Sequence, residues 1–144
     1  MTLADRDFIT QLIPHQGAMA LLDGIENWTE TIIVATSSTH RRMDHPLRHD
    51  GRLRAVHLCE YGAQAAALHG GLVARAAGTR AAPGYLVSLR GVSFACQRID
   101  DLAGDLQIRA ELLLLDSGSW QYSFAASHAG DVLASGRLAI IRRK

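Results

Sequence analysis

Apolar and polar positions along this chain follow two periods, and the change from one to the other marks out the elements. Leu3, Phe8, Ile9 and Leu12 recur near helical spacing, and Pro14 lies just beyond them, which predicts a short leading helix over Leu3 to Leu12. Ala18 to Ile25 and Thr31 to Ser37 predict two strands, joined by a tight turn at the polar Asn27-Trp28-Thr29-Glu30; the second is rich in β-branched residues. From Thr39 to Leu53 the pattern dissolves into charge, histidine, Pro46 and Gly51, which predicts a loop. Loops of this length in a compact domain are uncommon and tend to be functional. Arg54 to about Ala77 is a proline-free run of Ala, Leu, Val, Gln and Glu, the strongest helix signal in the chain, ended by Gly78 and Pro83. Four further strands are expected: Tyr85 to Ala95, Leu106 to Leu115, Gln121 to His128 and Val132 to Arg142. Turns at Asp116-Ser117-Gly118-Ser119 and Ala129-Gly130-Asp131 suit antiparallel pairing. The order is α+β, with one long helix available to one sheet.

The long helix does not read as a surface helix. Ala55 to Ala67 runs Ala-Val-His-Leu-Cys-Glu-Tyr-Gly-Ala-Gln-Ala-Ala-Ala, apolar nearly all round, as expected of a helix surrounded by protein. Its small residues, Gly62, Ala63, Ala65, Ala66 and Ala67, allow strands to come close, so an antiparallel sheet wrapped around this helix is expected. Glu60 and Gln64 are four residues apart on one face of it. A buried carboxylate must be paired, hydrogen-bonded or protonated. Two readings stand: a structural acid held by Arg54 or a loop arginine, or a proton-transfer group with its pKa raised into a useful range. The loop before the helix contributes His40, His45 and His49, and His57 lies within the helix start; histidine is the usual partner of a carboxylate in acid/base work.

Composition narrows the function classes. With 48% hydrophobic and 20% charged residues over 144 positions the chain is long enough for its own core, and no internal repeat or linker divides it, so one domain over residues 1–144 is expected. A net charge of +1 gives no general attraction to nucleic acid or anionic lipid. No apolar run approaches the roughly 20 residues of a membrane span, and the start lacks the pattern of a secretory signal, so a cytoplasmic protein is expected. Cys59 and Cys96 lack metal-ligand spacing and read as buried thiols. No cysteine or carboxylate completes a set with His45 and His49, so neither metal nor cofactor is expected.

Two motifs resemble those of the hotdog-fold 3-hydroxyacyl-carrier-protein dehydratases. Ile13-Pro14-His15-Gln16-Gly17-Ala18-Met19-Ala20-Leu21-Leu22-Asp23 is similar to the family's Leu-Pro-His segment running into Leu-Leu-Val-Asp. Ala55-Val56-His57-Leu58-Cys59-Glu60-Tyr61-Gly62-Ala63-Gln64-Ala65 is similar to its helix start, Pro-Gly-Val, three residues, then Glu-Ala-x-Ala-Gln. The pattern looks closer to a divergent dehydratase-like branch found with aryl-polyene biosynthesis than to the typical members. The resemblance implies a dimeric hotdog fold and a catalytic pair acting across the dimer interface. In that pair a loop histidine and the helix carboxylate abstract the proton beside a thioester and protonate the departing hydroxyl. The carboxylate is then Glu60, and the thioester oxygen is held by backbone N–H groups at Ala55 and Val56, beside Gln64. Fourteen residues before Glu60 stands Pro46, so a one-residue gap makes His45 the histidine, with His49 the second choice.

The expected activity is therefore dehydration of a 3-hydroxyacyl thioester on an acyl carrier protein, in fatty-acid or polyene-type biosynthesis. The alternatives are a non-catalytic partner subunit in a mixed dehydratase dimer and a hotdog thioesterase in which Glu60 activates water. The partners expected are the carrier protein and a second hotdog subunit, as a homodimer or heterodimer. Tyr85 to Ala95 is the candidate edge strand for that pairing, and Arg41, Arg42, Arg48, Arg52 and Arg54 are the candidate guides for an acidic carrier.

Overall fold

Local chemistry sets where the leading segments start and stop. The computed structural model describes residues 4–81 and 84–142. Helix α1 (Arg6–Thr10) begins where the Asp5 carboxylate accepts the Phe8 N–H at 3.2 Å, an N-cap that makes the helix shorter than the spacing of apolar residues implied; Leu3 lies outside the described residues. Strands β1 (Gly24–Trp28) and β2 (Ile32–Ser37) pair antiparallel, with a bulge between Ile25 and Asn27. The expected first strand over Ala18 to Ile25 is thus displaced. Gly17–Met19 forms a 3-10 turn, and Ala20, Leu21 and Leu22 follow it, all fully buried. A half-buried strand alternates inside and outside, so three consecutive buried residues mark a segment threaded through the core. Trp28, expected in the turn, closes β1 instead.

The helical region starts as a 3-10 turn, Ala55–His57, and continues as α2 (Leu58–Ala76). It ends where Gly78, at φ +76°, takes up the left-handed conformation that a glycine adopts without steric cost; Pro83 lies outside the described residues. The remaining strands are β3 (Gly84–Phe94), β4 (Leu106–Asp116), β5 (Ser119–His128) and β6 (Asp131–Arg142), each within two residues of its expected start and end. All six form one antiparallel sheet in the order β1-β2-β4-β5-β6-β3, so β3 lies at an edge and pairs with β6.

Helix α2 packs against the sheet over β2, β4 and β5. The two come close at Gly62: a Cβ there would lie 2.6 Å from Phe124 Cγ on β5, well inside carbon–carbon contact. Leu58, Tyr61, Ala65, Leu68 and Leu72 from the helix meet Ile33, Ala35, Ile108, Ala110 and Phe124 from the sheet in the core. The other face of α2 carries Glu60, Ala63, Ala67, Gly70 and Ala74, all half-buried. The β6–β3 side of the sheet is scarcely covered by the helix, and β3 exposes Tyr85, Leu86, Val87, Leu89 and Phe94.

Candidate functional site

Glu60 sits in the first turn of α2, where the helix dipole and the N–H groups of the first turn favour negative charge. Two donors meet on its Oε1: His15 Nε2 at 3.2 Å and Gln64 Nε2 at 3.1 Å. Both side chains of the His15–Glu60 pair remain about a third exposed (29% and 31%), so a ligand can reach them. The hydrogen bond from His15, ahead of that from Gln64, holds the Glu60 carboxyl below the usual range even though partial burial opposes it. Of the two states open from sequence, Glu60 is therefore ionised, and its pKa is lowered rather than raised. His57 adds a nearby positive potential. The His15 Nδ1 is buried and has no hydrogen-bond partner among the described residues.

Gln64 is fully buried, and the threaded N-terminal segment holds its amide on both sides. Its Oε1 accepts the Leu21 N–H at 2.9 Å, and its Nε2 donates to the Met19 carbonyl at 2.8 Å as well as to Glu60. Residues 19 to 21 thus sit beneath the helix to orient the amide that binds the carboxylate.

The other residues singled out from sequence divide sharply. His45 is buried, with 4% of its surface exposed, and faces Tyr61 rather than Glu60: its Nε2 lies 3.1 Å from the Tyr61 hydroxyl and its Nδ1 accepts the Leu47 N–H. Burial, more than the nearby charge of His57, pushes its imidazole down to about 4. His49 is far more open, 83% exposed in its side chain, and stands 3.5 Å from Asp50. Within the chain it is His15, then, that meets Glu60. The Ala55 N–H is already donated to the Gln97 carbonyl at 2.9 Å, which leaves the adjacent N–H of Val56, unbonded among the described residues, to meet an oxygen at the helix start. Arg48, expected to guide a partner, instead points inward. It donates to the carbonyls of Arg42 (2.7 Å) and Gly51 (2.8 Å) and lies 3.9 Å from the buried Asp100. Arg42 pairs with Asp44, whereas Arg41, Arg52 and Arg54 are exposed. Cys59 is buried and Cys96 partly so; burial pushes both thiols up, away from reactivity. A concavity of about 480 Å³ lies at the opposite end of α2 between Phe8, Trp28 and Arg75, and brings no acid/base pair together.

The model of the ApeP-like family, described as ApeP dehydratase, matches residues 8–144, nearly the whole chain. The chain belongs to the ApeP-like dehydratase family. Among solved structures it is similar to the dehydratase heterocomplex ApeI:P from Xenorhabdus doucetiae, with a TM-score of 0.83 at 23% identity over 94% of this chain and 91% of that one. AziG from S. sahachiroi follows at TM-score 0.62 and 18% identity, covering 88% and 93%. A hypothetical thioesterase with coenzyme A from Streptococcus pneumoniae has TM-score 0.61 at 12% identity, covering 95% and 93%. These likenesses establish the hotdog fold that the sequence motifs implied. No curated protein matches the chain. The residue beside Glu60 that the sequence did not single out is His15. It stood inside the first of the two motifs, next to Pro14, but 45 positions separate it from Glu60 and no periodicity links them.

Proposed function

We propose that this chain is a cytoplasmic dehydratase subunit acting on 3-hydroxyacyl thioesters carried by an acyl carrier protein, with Glu60 and His15 as its acid/base pair. The observation that carries the reading is a carboxylate and an imidazole 3.2 Å apart, both reachable from solvent, at a helix start in a member of a dehydratase family. Glu60 Oε2, which no donor occupies among the described residues, takes the proton from the carbon beside the thioester. The released electron pair forms the new carbon–carbon double bond as the bond to the hydroxyl breaks. His15, in its protonated form, gives its Nε2 proton to that hydroxyl, and water leaves. Glu60 Oε2 then releases its proton to solvent and His15 Nε2 takes one up, so the pair ends as it began. The Val56 N–H supports the charge that develops on the thioester oxygen.

A related hotdog subunit is the proposed partner. The half-buried stripe of Glu60, Ala63, Ala67, Gly70 and Ala74, together with the apolar β3 edge, leaves a surface of the kind that proteins cover. The likeness to the ApeI:P heterocomplex favours an unlike partner. Arg41, Arg52 and Arg54 then guide the acidic carrier.

The test is to incubate the protein, alone and with a second hotdog dehydratase subunit, with a 3-hydroxyacyl carrier-protein thioester and follow loss of water by mass spectrometry. Glu60→Gln is expected to reduce turnover by about 10²-fold or more. Unchanged turnover in Glu60→Gln would remove the site assignment. Release of free acid would make the chain a thioesterase, and activity that tracks only the second subunit's residues would make it a non-catalytic partner.

A further inference from the structure

Beneath the first turns of α2 lies a second set of buried polar side chains, Ser37, Thr39, His45 and Tyr61, which the proposed chemistry does not touch. Their hydrogen bonds form one connected set, in which Ser37 Oγ also lies 2.8 Å from Thr39 Oγ1. Because the Leu47 N–H is donated to His45 Nδ1, the ring proton resides on Nε2 and is donated to the Tyr61 oxygen. The Tyr61 hydroxyl, its oxygen so engaged, donates to Thr39 Oγ1 at 2.8 Å, and Thr39 donates to the Leu21 carbonyl at 2.9 Å. Ser37 Oγ donates to the same carbonyl and accepts the Thr39 N–H. From Leu21 the chain turns outward: its N–H meets Gln64 Oε1, and the Gln64 amide nitrogen reaches Glu60.

We infer that His45 is a positioning residue for Glu60: through Tyr61, Thr39 and Leu21 it fixes the Gln64 amide in the one orientation that donates to the carboxylate. The inference rests on the reading of Glu60 as the working carboxylate. The segment Ala20 to Leu22 lies outside the named strands, so side chains rather than a regular ladder set where Leu21 sits. An amide is nearly symmetrical in shape. Only the Leu21 N–H on one side and the Met19 carbonyl on the other decide which end faces Glu60, and a flipped Gln64 would set an oxygen against a carboxylate. Nor does the chain serve as a proton path. Burial keeps the His45 imidazole neutral down to about pH 4 and pushes the Tyr61 hydroxyl up to about 12, so neither member changes charge near neutral pH. The arginines Arg42 and Arg48 and the titratable His57 and His40 are the groups that bear on His45, and each opposes its protonation.

Three variants separate positioning from catalysis. His45→Phe keeps the bulk and removes the donor, Tyr61→Phe removes the next link, and His45→Gln restores a donor toward Tyr61. The first readout needs no substrate: the Glu60 carboxyl is titrated by ¹³C NMR. His45→Phe and Tyr61→Phe are expected to raise its midpoint by about half a pH unit or more as the Gln64 bond loosens, and His45→Gln to return it toward the parent value. The second readout is thioester dehydration. Here kcat is expected to fall about tenfold in the two phenylalanine variants with KM unchanged and both pH limbs retained, the acid limb moving only with the Glu60 midpoint, and His45→Gln to recover most of it. An unmoved Glu60 midpoint in all three variants would overturn the inference. So would a His45→Gln protein as inactive as His45→Phe and lacking one pH limb, since that imidazole would then be an acid or base. If dehydration fails for the parent protein, the titration still decides the inference on its own.

Discussion

His45 gives the fold a sharply pH-dependent term. An unfolded chain protonates this imidazole near its ordinary value of 6.5, whereas in the folded protein it resists protonation until about pH 4. Between those values the unfolded state binds more protons than the native state, so stability must fall as the pH falls. At pH 7 neither state is much protonated and the term is small. At pH 5 the unfolded group is almost fully charged and the native one almost fully neutral, which amounts to about 2 kcal/mol favouring unfolding. Below pH 4 both states are charged and the loss levels off near about 3 kcal/mol. His40 and His69 are also pushed down by burial and act in the same direction, so the assay must isolate one residue. Urea unfolding of the parent and of His45→Gln, each at pH 7 and pH 5, does so. The variant keeps a donor toward Tyr61 and has nothing to titrate. It is expected to lose about 2 kcal/mol less than the parent between the two pH values. Equal losses in the two proteins would refute the reasoning, because they would mean that His45 binds protons equally well folded and unfolded.

Three further outcomes are expected. Gly62→Ala is expected to destabilise by about 1–2 kcal/mol in thermal or urea unfolding, despite the better helix propensity of alanine, because the new methyl would sit 2.6 Å from Phe124 Cγ. Asp100 accepts the Leu53 N–H at 2.9 Å, and the Arg98 guanidinium holds its carboxyl well below the usual range. The stability it confers is complete above the ordinary carboxylate pKa and lost only as the pH falls through the lowered one. Asp100→Asn is accordingly expected to quicken hydrogen exchange at the Leu53 amide. His15→Ala removes the largest influence that lowers the Glu60 pKa, so the Glu60 midpoint should rise in a carboxyl titration while thioester turnover drops by about 10²-fold or more.

The periodic parts of the molecule were legible because periodicity is a local property. Strands β3 to β6 alternate or carry plain turn residues, and α2 declares itself through alanine and the absence of proline. Glu60 and Gln64 were legible for a related reason: an acid and an amide four residues apart on an apolar helix leave few roles open. Ala20-Leu21-Leu22 misled, since an apolar run reads as strand whether a ladder or side chains from distant elements satisfy its backbone. Only the Gln64 and Thr39 bonds to Leu21 reveal which it is. The same limit applied to the histidines. His40, His45 and His49 look alike in sequence, yet one donates to the Leu102 carbonyl, one to Tyr61, and one lies open beside Asp50. Arg48 resembles its exposed neighbours until the loop folds back and brings three carbonyls within its reach.

The sheet order also dictates a sequence of assembly. Strand β3 leaves the ribosome directly after the long helix, yet its pairing partner β6 follows only after β4 and β5 have been made. During that interval Tyr85, Leu86, Val87, Leu89 and Phe94 form an apolar strand with both edges open, while the rest of the sheet can already zip up hairpin by hairpin. Contacts this distant along the chain form late and slowly. The period in which β3 waits is therefore when a nascent chain is most prone to pair with the wrong strand, and when a co-translationally supplied partner or chaperone has most to protect.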